Sequence, residues 1–377
     1  MRPSRRSKLF AKIAICIVIF LSLVYYLNLT NVFLNSSDSS PFEAQNTSHR
    51  SNFSTSLKNN KTLLQIQNNS LTNCINKCTA ALKKQLYNVW CIFTKVASNS
   101  PMKRKFRTFF DSLVRFSSGD IAFHLITDEE SQSIAENIID YVLFVYRKRV
   151  QVQYYNVHKS AKEIEDIVSV MSSFFSSKPG TYYSDALFFI SLGLHRIAPL
   201  NQDMAIMVDA DTKFRSNIKE LFKEFDHFNK DALFGLGPEL SPVYRHVLFL
   251  YRSKNPKTIF GEPGYLGGYP GYNSGVILIH LKRLRESLEY DQIVGRDSVE
   301  HLVEKYEFKG HLGDQDFYTL LGMERPEMIH TIDCGWNRQL CTWWKDRGYA
   351  DVFANYSRCN SEVKLWHGNC NTPIPVD

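Results

Sequence analysis

Between residues 88 and 281 the chain repeats one pattern: a short apolar run, a turn, then a longer segment whose apolar residues recur three and four apart. Period-two and continuously apolar runs of this length are strands, and three-four spacing is the signature of an amphipathic helix. On that basis residues 88–94, 121–126 and 150–157 are expected to be strands, with helices at 106–116 and 134–146 between them. A helix at 184–194 then precedes a fourth strand at 204–208, and 232–236 and 276–281 supply two more. Helices are expected at 284–294, 298–306 and 317–322. Alternation of this kind implies an α/β fold: a mostly parallel sheet with helices on both faces and ligands at the carboxyl ends of the strands.

The fourth strand carries the chemistry. Residues 204–208 are continuously apolar, bounded by Asn201, Gln202 and Asp203 on one side and Asp209 on the other, as in a strand buried on both faces. Asp209 and Asp211 leave its end two residues apart, so in extended backbone both carboxylates point the same way. Their hard oxygens suit Mn²⁺, or Mg²⁺, carrying a phosphorylated substrate. The competing reading makes Asp209 the cap of the following turn and Asp211 the cap of a helix at 218–225. Asp128 occupies the same place at the end of the second strand. Residues 261–271 pack five glycines and two prolines into eleven positions and read as a tight loop beside the site that leads into Tyr272-Asn273-Ser274-Gly275, where Asn273-Ser274-Gly275 as an ordinary turn is the competing reading. The run from His311 to Asp316 opens a helix whose N-terminus would favour an anionic ligand.

Charge and cysteines set the compartment. Of the formal net charge of +7, Arg2, Arg5, Arg6, Lys8 and Lys12 account for five, which leaves about +2 for the rest and excludes a nucleic-acid partner. The cluster flanks an apolar run at 9–29, read as a signal anchor with a cytosolic tail at 1–8; the alternative is a cleaved signal peptide, for which Tyr25-Tyr26-Leu27-Asn28-Leu29 offers no small-residue cleavage site. Residues 30–85, rich in Asn, Ser, Thr and Lys, read as a stem, and 86–377 as the folded domain. Everything past Thr30 would then be lumenal, which suits the glycosylation acceptors at Asn35, Asn46, Asn52, Asn68 and Asn355. Cys334, Cys341, Cys359 and Cys370 suggest two disulfides, with a four-cysteine zinc site as the alternative, and Cys91 reads as a buried thiol.

Together these motifs resemble a family. Val208-Asp209-Ala210-Asp211, Tyr272-Asn273-Ser274-Gly275-Val276, Gly313-Asp314-Gln315-Asp316 and Lys364-Leu365-Trp366-His367-Gly368, in that order and behind an anchor, resemble the retaining glycosyltransferases of the glycogenin-like group (family 8), which have the GT-A fold. Pro242-Val243-Tyr244-Arg245-His246, the segment from Gly310 to Phe317, the segment from Cys334 to Trp344 and the segment from His367 to Pro375 resemble more narrowly the xyloside α-1,3-xylosyltransferases. That resemblance implies transfer of xylose from UDP-xylose to xylosyl-glucose on EGF-like repeats of Notch-type receptors, by an enzyme anchored in the endoplasmic reticulum or early Golgi membrane. The neighbouring alternatives are a glucoside xylosyltransferase, another lumenal UDP-sugar transferase, or a silent GT-A-like glycoprotein-binding protein. The sequence is compatible with a homo-oligomer.

By residue, the resemblance assigns the metal to Asp209, Asp211 and His367, and the nucleotide to Phe93, Thr94, Lys95 and Ala210; Asp128 joins the donor-binding set from its place at a strand end. It places the donor sugar at Asn273, Ser274 and Leu312. Gln315 would position the sugar and stabilise charge in a front-face attack, and Asp314 would orient donor hydroxyls or the acceptor; as the cap of a helix Asp314 has an alternative role. For the acceptor the resemblance and the aromatic character point to His246, Val247, Leu248, Phe249, Trp336, Trp343, Trp344 and Asn369.

Overall fold

The computed structural model describes residues 86–177 and 186–376. The anchor, the stem, the first four acceptor asparagines, Cys16, Cys74 and Cys78 lie outside the described residues. A compact unit spans Lys83–Asp377, and none of its described helices is long and apolar enough to cross a membrane.

Four strands, β1 (Leu86–Phe93), β2 (Asp120–Thr127), β3 (Gln151–Asn156) and β4 (Ala205–Val208), are parallel neighbours in the order β3-β2-β1-β4. The sheet continues through β7 (Tyr272–Ile279), β6 (Phe234–Pro238) and β8 (Ile329–Thr331). β7 runs antiparallel to both β4 and β6, while β6 and β8 pair in parallel. Alternate residues of a strand face opposite sides, and here both sides are covered. Val89 and Cys91 join Ile206, Val208, Val276 and Leu278 in one apolar cluster, whereas Trp90, Met207 and Ile277 join the other.

The helices form where the spacing predicts, with ends set by caps. Helix α1 (Pro101–Phe116) begins earlier than the apolar spacing shows, because Ser100 caps it and Pro101 takes the first turn, where no N–H is needed. It buries Phe106, Phe109, Phe110, Leu113 and Val114 against β1 and β2; Phe106→Ala in such a site costs about 3–5 kcal/mol. Helix α2 (Glu129–Tyr146) is capped by the Asp128 carboxylate, and α3 (Glu165–Phe175) packs on the opposite face. The helix expected at 184–194 is instead a 3₁₀ segment, Ala186–Gly193, followed by one α-turn, Leu194–Ile197. Residues Phe189 to Gly193 are buried all round, so tertiary packing rather than an amphipathic stripe sets its winding. The stretch 284–294 is two short helices, Leu281–Glu286 and Leu288–Ile293, separated by Ser287, which caps the second. Helix α4 (Asp314–Glu324) has residues 315–323 all buried.

A second sheet joins β5 (Thr212–Phe214), β10 (Leu365–His367) and β9 (Arg338–Gln339). Two disulfides, Cys334–Cys359 and Cys341–Cys370, staple this region, so the four cysteines form bridges and not a zinc site. Cys91 is a buried free thiol.

Candidate active site

The reversed strand β7 organises the site. Because it runs against β4, its first residues lie at the edge where the parallel strands end, and Asp209 N–H donates to Gly275 O at 2.9 Å. Asn273 and Ser274 are therefore strand residues and not a turn. After Asp209 the chain turns through Ala210, closed by the Thr212 hydroxyl donating to Asp209 O at 2.9 Å, and enters β5. β10 lies antiparallel to β5 with His367 opposite Thr212, and Gly368 N–H donates to Asp211 O at 2.8 Å. Two residues far apart in sequence thus converge through backbone pairing.

Ligand atoms of Asp209, Asp211 and His367 all lie within 4.8 Å of one another. His367 Nε2 is 3.5 Å from Asp209 Oδ2 and 3.5 Å from Asp211 Oδ1. Its Nδ1 is 2.9 Å from Asn337 Oδ1, so Nδ1 carries a proton and donates there, and Nε2 faces the carboxylates. Burial opposes charge on His367, but the hydrogen bonds and charges of Asp209 and Asp211 outweigh it and raise its pKa to about 10. Asp211, against its own burial, is lowered to about 2 by His367 and Lys105. Three converging groups that need a cation, with oxygens and an imidazole nitrogen as donors, fit a divalent metal. The capping alternative fails for Asp211: Asn217 caps the helix Ile218–Phe222. Gly275 makes room for the imidazole, since a Cβ there would lie 2.1 Å from His367 Cε1.

Beside the triad sits the start of α4. Gly313, at φ 73° and ψ −137°, is the capping residue, a conformation open essentially to glycine alone. Asp314 is therefore not the cap. It accepts from the Ser274 hydroxyl at 2.9 Å and from the Ser191 hydroxyl. Burial, reinforced by the charge of Asp209, raises its pKa to about 7 despite those hydrogen bonds. Gln315 Oε1 accepts from Asn273 Nδ2 at 2.9 Å and lies 3.4 Å from Ser274 N. Leu312 N–H is committed to Asp316 Oδ2 at 2.6 Å, which holds the loop before the helix.

Of the remaining expected residues, Thr94 and Lys95 leave the end of β1, and Lys95 N–H donates to Asp128 Oδ2 at 2.6 Å while φ at Lys95 is 57°. Asp128 thus shapes this loop as well as capping α2. Phe93 is 1% exposed and packs against Phe106 with the rings tilted, so its side chain belongs to the core. Trp336, Val247 and Leu248, expected at the acceptor, are core residues whose side chains are covered. His246, Trp344, Tyr349 and Trp343 do form one aromatic group, with Phe249 and Trp343 exposed. Asn369 Oδ1 accepts from Leu340 N and Cys341 N, fixing the turn after His367.

The structure adds residues that sequence reasoning passed over. Lys105 of α1 reaches Asp211 Oδ2 at 3.3 Å. Glu239, just past β6 and 4% exposed, contacts Asn273 and Gln315, and Asn337 links Asn273 to His367. Asn337 lies within a quoted motif, but nothing in composition or spacing marks Glu239 or Lys105.

The mostly parallel α/β sheet, with paired aspartates at the carboxyl end of a central strand, is the GT-A glycosyltransferase fold of the solved structure it superposes on. Over 296 residues the chain is 43% identical to mouse xyloside xylosyltransferase 1, covering 77% of this chain and 75% of that protein. It is 42% identical to the human protein over the same shares. The crystal structure of the mouse enzyme in its apo form superposes with a TM-score of 0.73, over 77% of this chain and all of that one. No protein-family model matches the chain. The chain belongs to the xyloside xylosyltransferase family.

Proposed function

We propose that the protein is a metal-dependent, retaining α-1,3-xylosyltransferase that uses UDP-xylose and extends xylosyl-glucose on EGF-like repeats of Notch-type receptors. The observation that carries this reading is the junction of the Asp209, Asp211 and His367 group with Ser274, Asp314 and Gln315 in a member of this family. Mn²⁺, or Mg²⁺, held by the triad would neutralise charge developing on the leaving diphosphate. The uracil and ribose would lie along Thr94, Lys95 and Ala210, at the carboxyl edge of β1 and β4.

Ser274 and Asp314 would orient the hydroxyls of the sugar. Gln315 is a neutral amide and a poor nucleophile, so its oxygen serves to stabilise positive charge at the anomeric carbon. The bond from that carbon to the phosphate oxygen breaks with its electron pair going to UDP. The acceptor oxygen bonds on the same face, and its proton passes to the departing phosphate. His246, Trp343, Trp344 and Phe249 offer the aromatic surface on which a glycosylated peptide would rest. Asn35, Asn46, Asn52 and Asn68, together with the disulfides of the folded unit, support a lumenal domain behind a type II anchor at 9–29, in the endoplasmic reticulum or early Golgi.

The test is transfer by detergent-solubilised full-length protein with Mn²⁺ and each common UDP-sugar. Acceptors are an EGF-like repeat bearing xylosyl-glucose and one bearing glucose alone. Xylose added to the disaccharide alone is the expected result. Transfer to bare glucose would move the protein to the neighbouring activity, and no transfer with any donor would remove the enzymatic reading.

A further inference from the structure

The buried polar groups behind the triad form a directed chain. Glu239 Oε2 is 3.1 Å from Asn273 Nδ2 and 3.3 Å from Gln315 Nε2. Asn273 Oδ1 accepts from Asn337 Nδ2 at 2.9 Å and from Gly275 N–H at 3.1 Å. Asn337 Oδ1 then accepts from His367 Nδ1 at 2.9 Å. Glu239, Asn273, Gln315, Asn337 and His367 are each at most 9% exposed, so no member can exchange its partner for bulk water.

An amide can be turned over at little cost unless its neighbours forbid it, because its oxygen only accepts and its nitrogen only donates. A carboxylate forbids it, being acceptor at both oxygens. Facing Glu239, Asn273 must present its NH₂, which leaves its oxygen for Asn337. Asn337 must then present NH₂ to Asn273, whose backbone oxygen also accepts it at 3.3 Å, and oxygen to His367, which keeps a proton on Nδ1 and leaves Nε2 to face Asp209 and Asp211. On the other branch, Gln315 must give its NH₂ to Glu239 and to Tyr244 Oη at 3.3 Å. Its oxygen is left on the side of Ser274. The Gly275 N–H, donating to Asn273 Oδ1 at 3.1 Å, and the Ser274 N–H, 3.4 Å from Gln315 Oε1, impose the same sense, so the strand backbone shares this task with Glu239.

We infer that Glu239 is a positioning residue of the site, the buried carboxylate that together with the strand backbone holds the sense of the amides between itself and His367 and keeps the Gln315 oxygen on the side of Ser274. The inference rests on the donor-site reading above, and one carboxylate would thereby tune both the metal ligand and the charge-stabilising amide. Glu239 itself touches neither substrate nor ion.

Its test is Mn²⁺ binding followed by electron paramagnetic resonance on the full-length protein without substrate, alongside xylosyl transfer. Glu239→Gln keeps the shape and removes the acceptor-only constraint, so Mn²⁺ affinity is expected to fall about 10–100-fold, the range for lost partners of a ligating histidine. Moving the carboxylate one place along the chain, in Glu239→Gln with Asn273→Asp, restores the polarity at Asn337 and His367 but not at Gln315. That double variant should recover Mn²⁺ binding while turnover stays low, a split that general loss of packing would not produce. Wild-type Mn²⁺ affinity in Glu239→Gln, or no recovery in the double variant, would overturn the inference. Should Glu239→Gln fail to fold, Glu239→Asp, which keeps an acceptor-only group, carries the test: folded protein with Mn²⁺ binding retained is expected, and folded protein without it refutes the role. Because the binding measurement needs no substrate, failure of xylosyl transfer in the wild type would sink the activity reading and leave this test standing.

Discussion

Substituting Gly275 by alanine is the smallest change that should disable the metal ligand without touching it. Gly275 sits within β7 with no positive φ, so the backbone accepts an L-residue and the effect is purely one of space. The added Cβ would stand 2.1 Å from His367 Cε1, 2.5 Å from Nδ1 and 2.8 Å from Nε2. Carbon atoms rest at about 3.5–4.0 Å, so the ring or the strand must move by roughly 1.4 Å or more. The ring cannot retreat intact, since β10 holds its backbone between β5 and β9 and Asn337 holds Nδ1 at 2.9 Å. A displacement of about 1 Å at a site of this kind costs on the order of 100-fold in rate, or about 2.7 kcal/mol of barrier. Overpacking itself should lower stability by about 1–3 kcal/mol, which thermal unfolding would report separately. The assay is initial rate of xylosyl transfer across a Mn²⁺ titration. A folded Gly275→Ala protein with wild-type rate and unchanged Mn²⁺ dependence would refute the placement of His367 in the metal site.

Gln315→Ala should cut turnover by about 100-fold or more while donor KM moves little, and near-normal turnover would remove Gln315 from the mechanism. Acid stability should depend on two buried histidines. Burial pushes His124 down to about 4, and burial with the charges of Arg196 and Arg285 does the same to His195. The unfolded chain, with ordinary histidines, takes up protons that the native state refuses between pH 6.5 and 4. Stability should therefore fall as pH drops through that window, by up to about 3 kcal/mol per histidine, and less in His124→Gln; a flat profile measured by denaturant unfolding contradicts this. Replacing Cys341 and Cys370 by serine should cost about 2–5 kcal/mol and also weaken Mn²⁺ binding, because that bridge anchors the turn after His367. The Cys334 and Cys359 pair should affect stability with less effect on the metal, and equal loss of Mn²⁺ in both pairs would count against the distinction.

The sheet strands and the aspartate pair were legible because burial on both faces writes a continuous apolar run, and β4 ends abruptly in Asp209. The sense of β7 was not, since a central strand is apolar whichever way it runs, and yet that reversal is what brings Asn273 and Ser274 to Asp209. His367 became a candidate only through the family resemblance; its nearness to Asp211 is a product of pairing between β5 and β10, which local sequence does not encode. Trp336 shows how little the sequence says of burial. A large aromatic beside cysteines looks like a sugar platform, but its ring fills the core under Lys364. Asp314 was ambiguous because acidic residues favour helix starts generally, and only the backbone of Gly313 reveals which residue caps. Glu239 and Lys105 carry no pattern at all: each is a single polar residue whose meaning comes from what the fold packs against it.

The claim on which the account turns is that Asp209, Asp211 and His367 jointly hold the ion that carries the donor diphosphate. Anomalous diffraction at the manganese edge, from crystals grown with Mn²⁺ and UDP, addresses it directly. The account predicts one strong peak within coordination distance of a carboxylate oxygen from each aspartate and of His367 Nε2, with the diphosphate completing the shell. UDP bound at the ends of β1 and β4 with no peak among these three side chains, or with manganese held elsewhere, would contradict it.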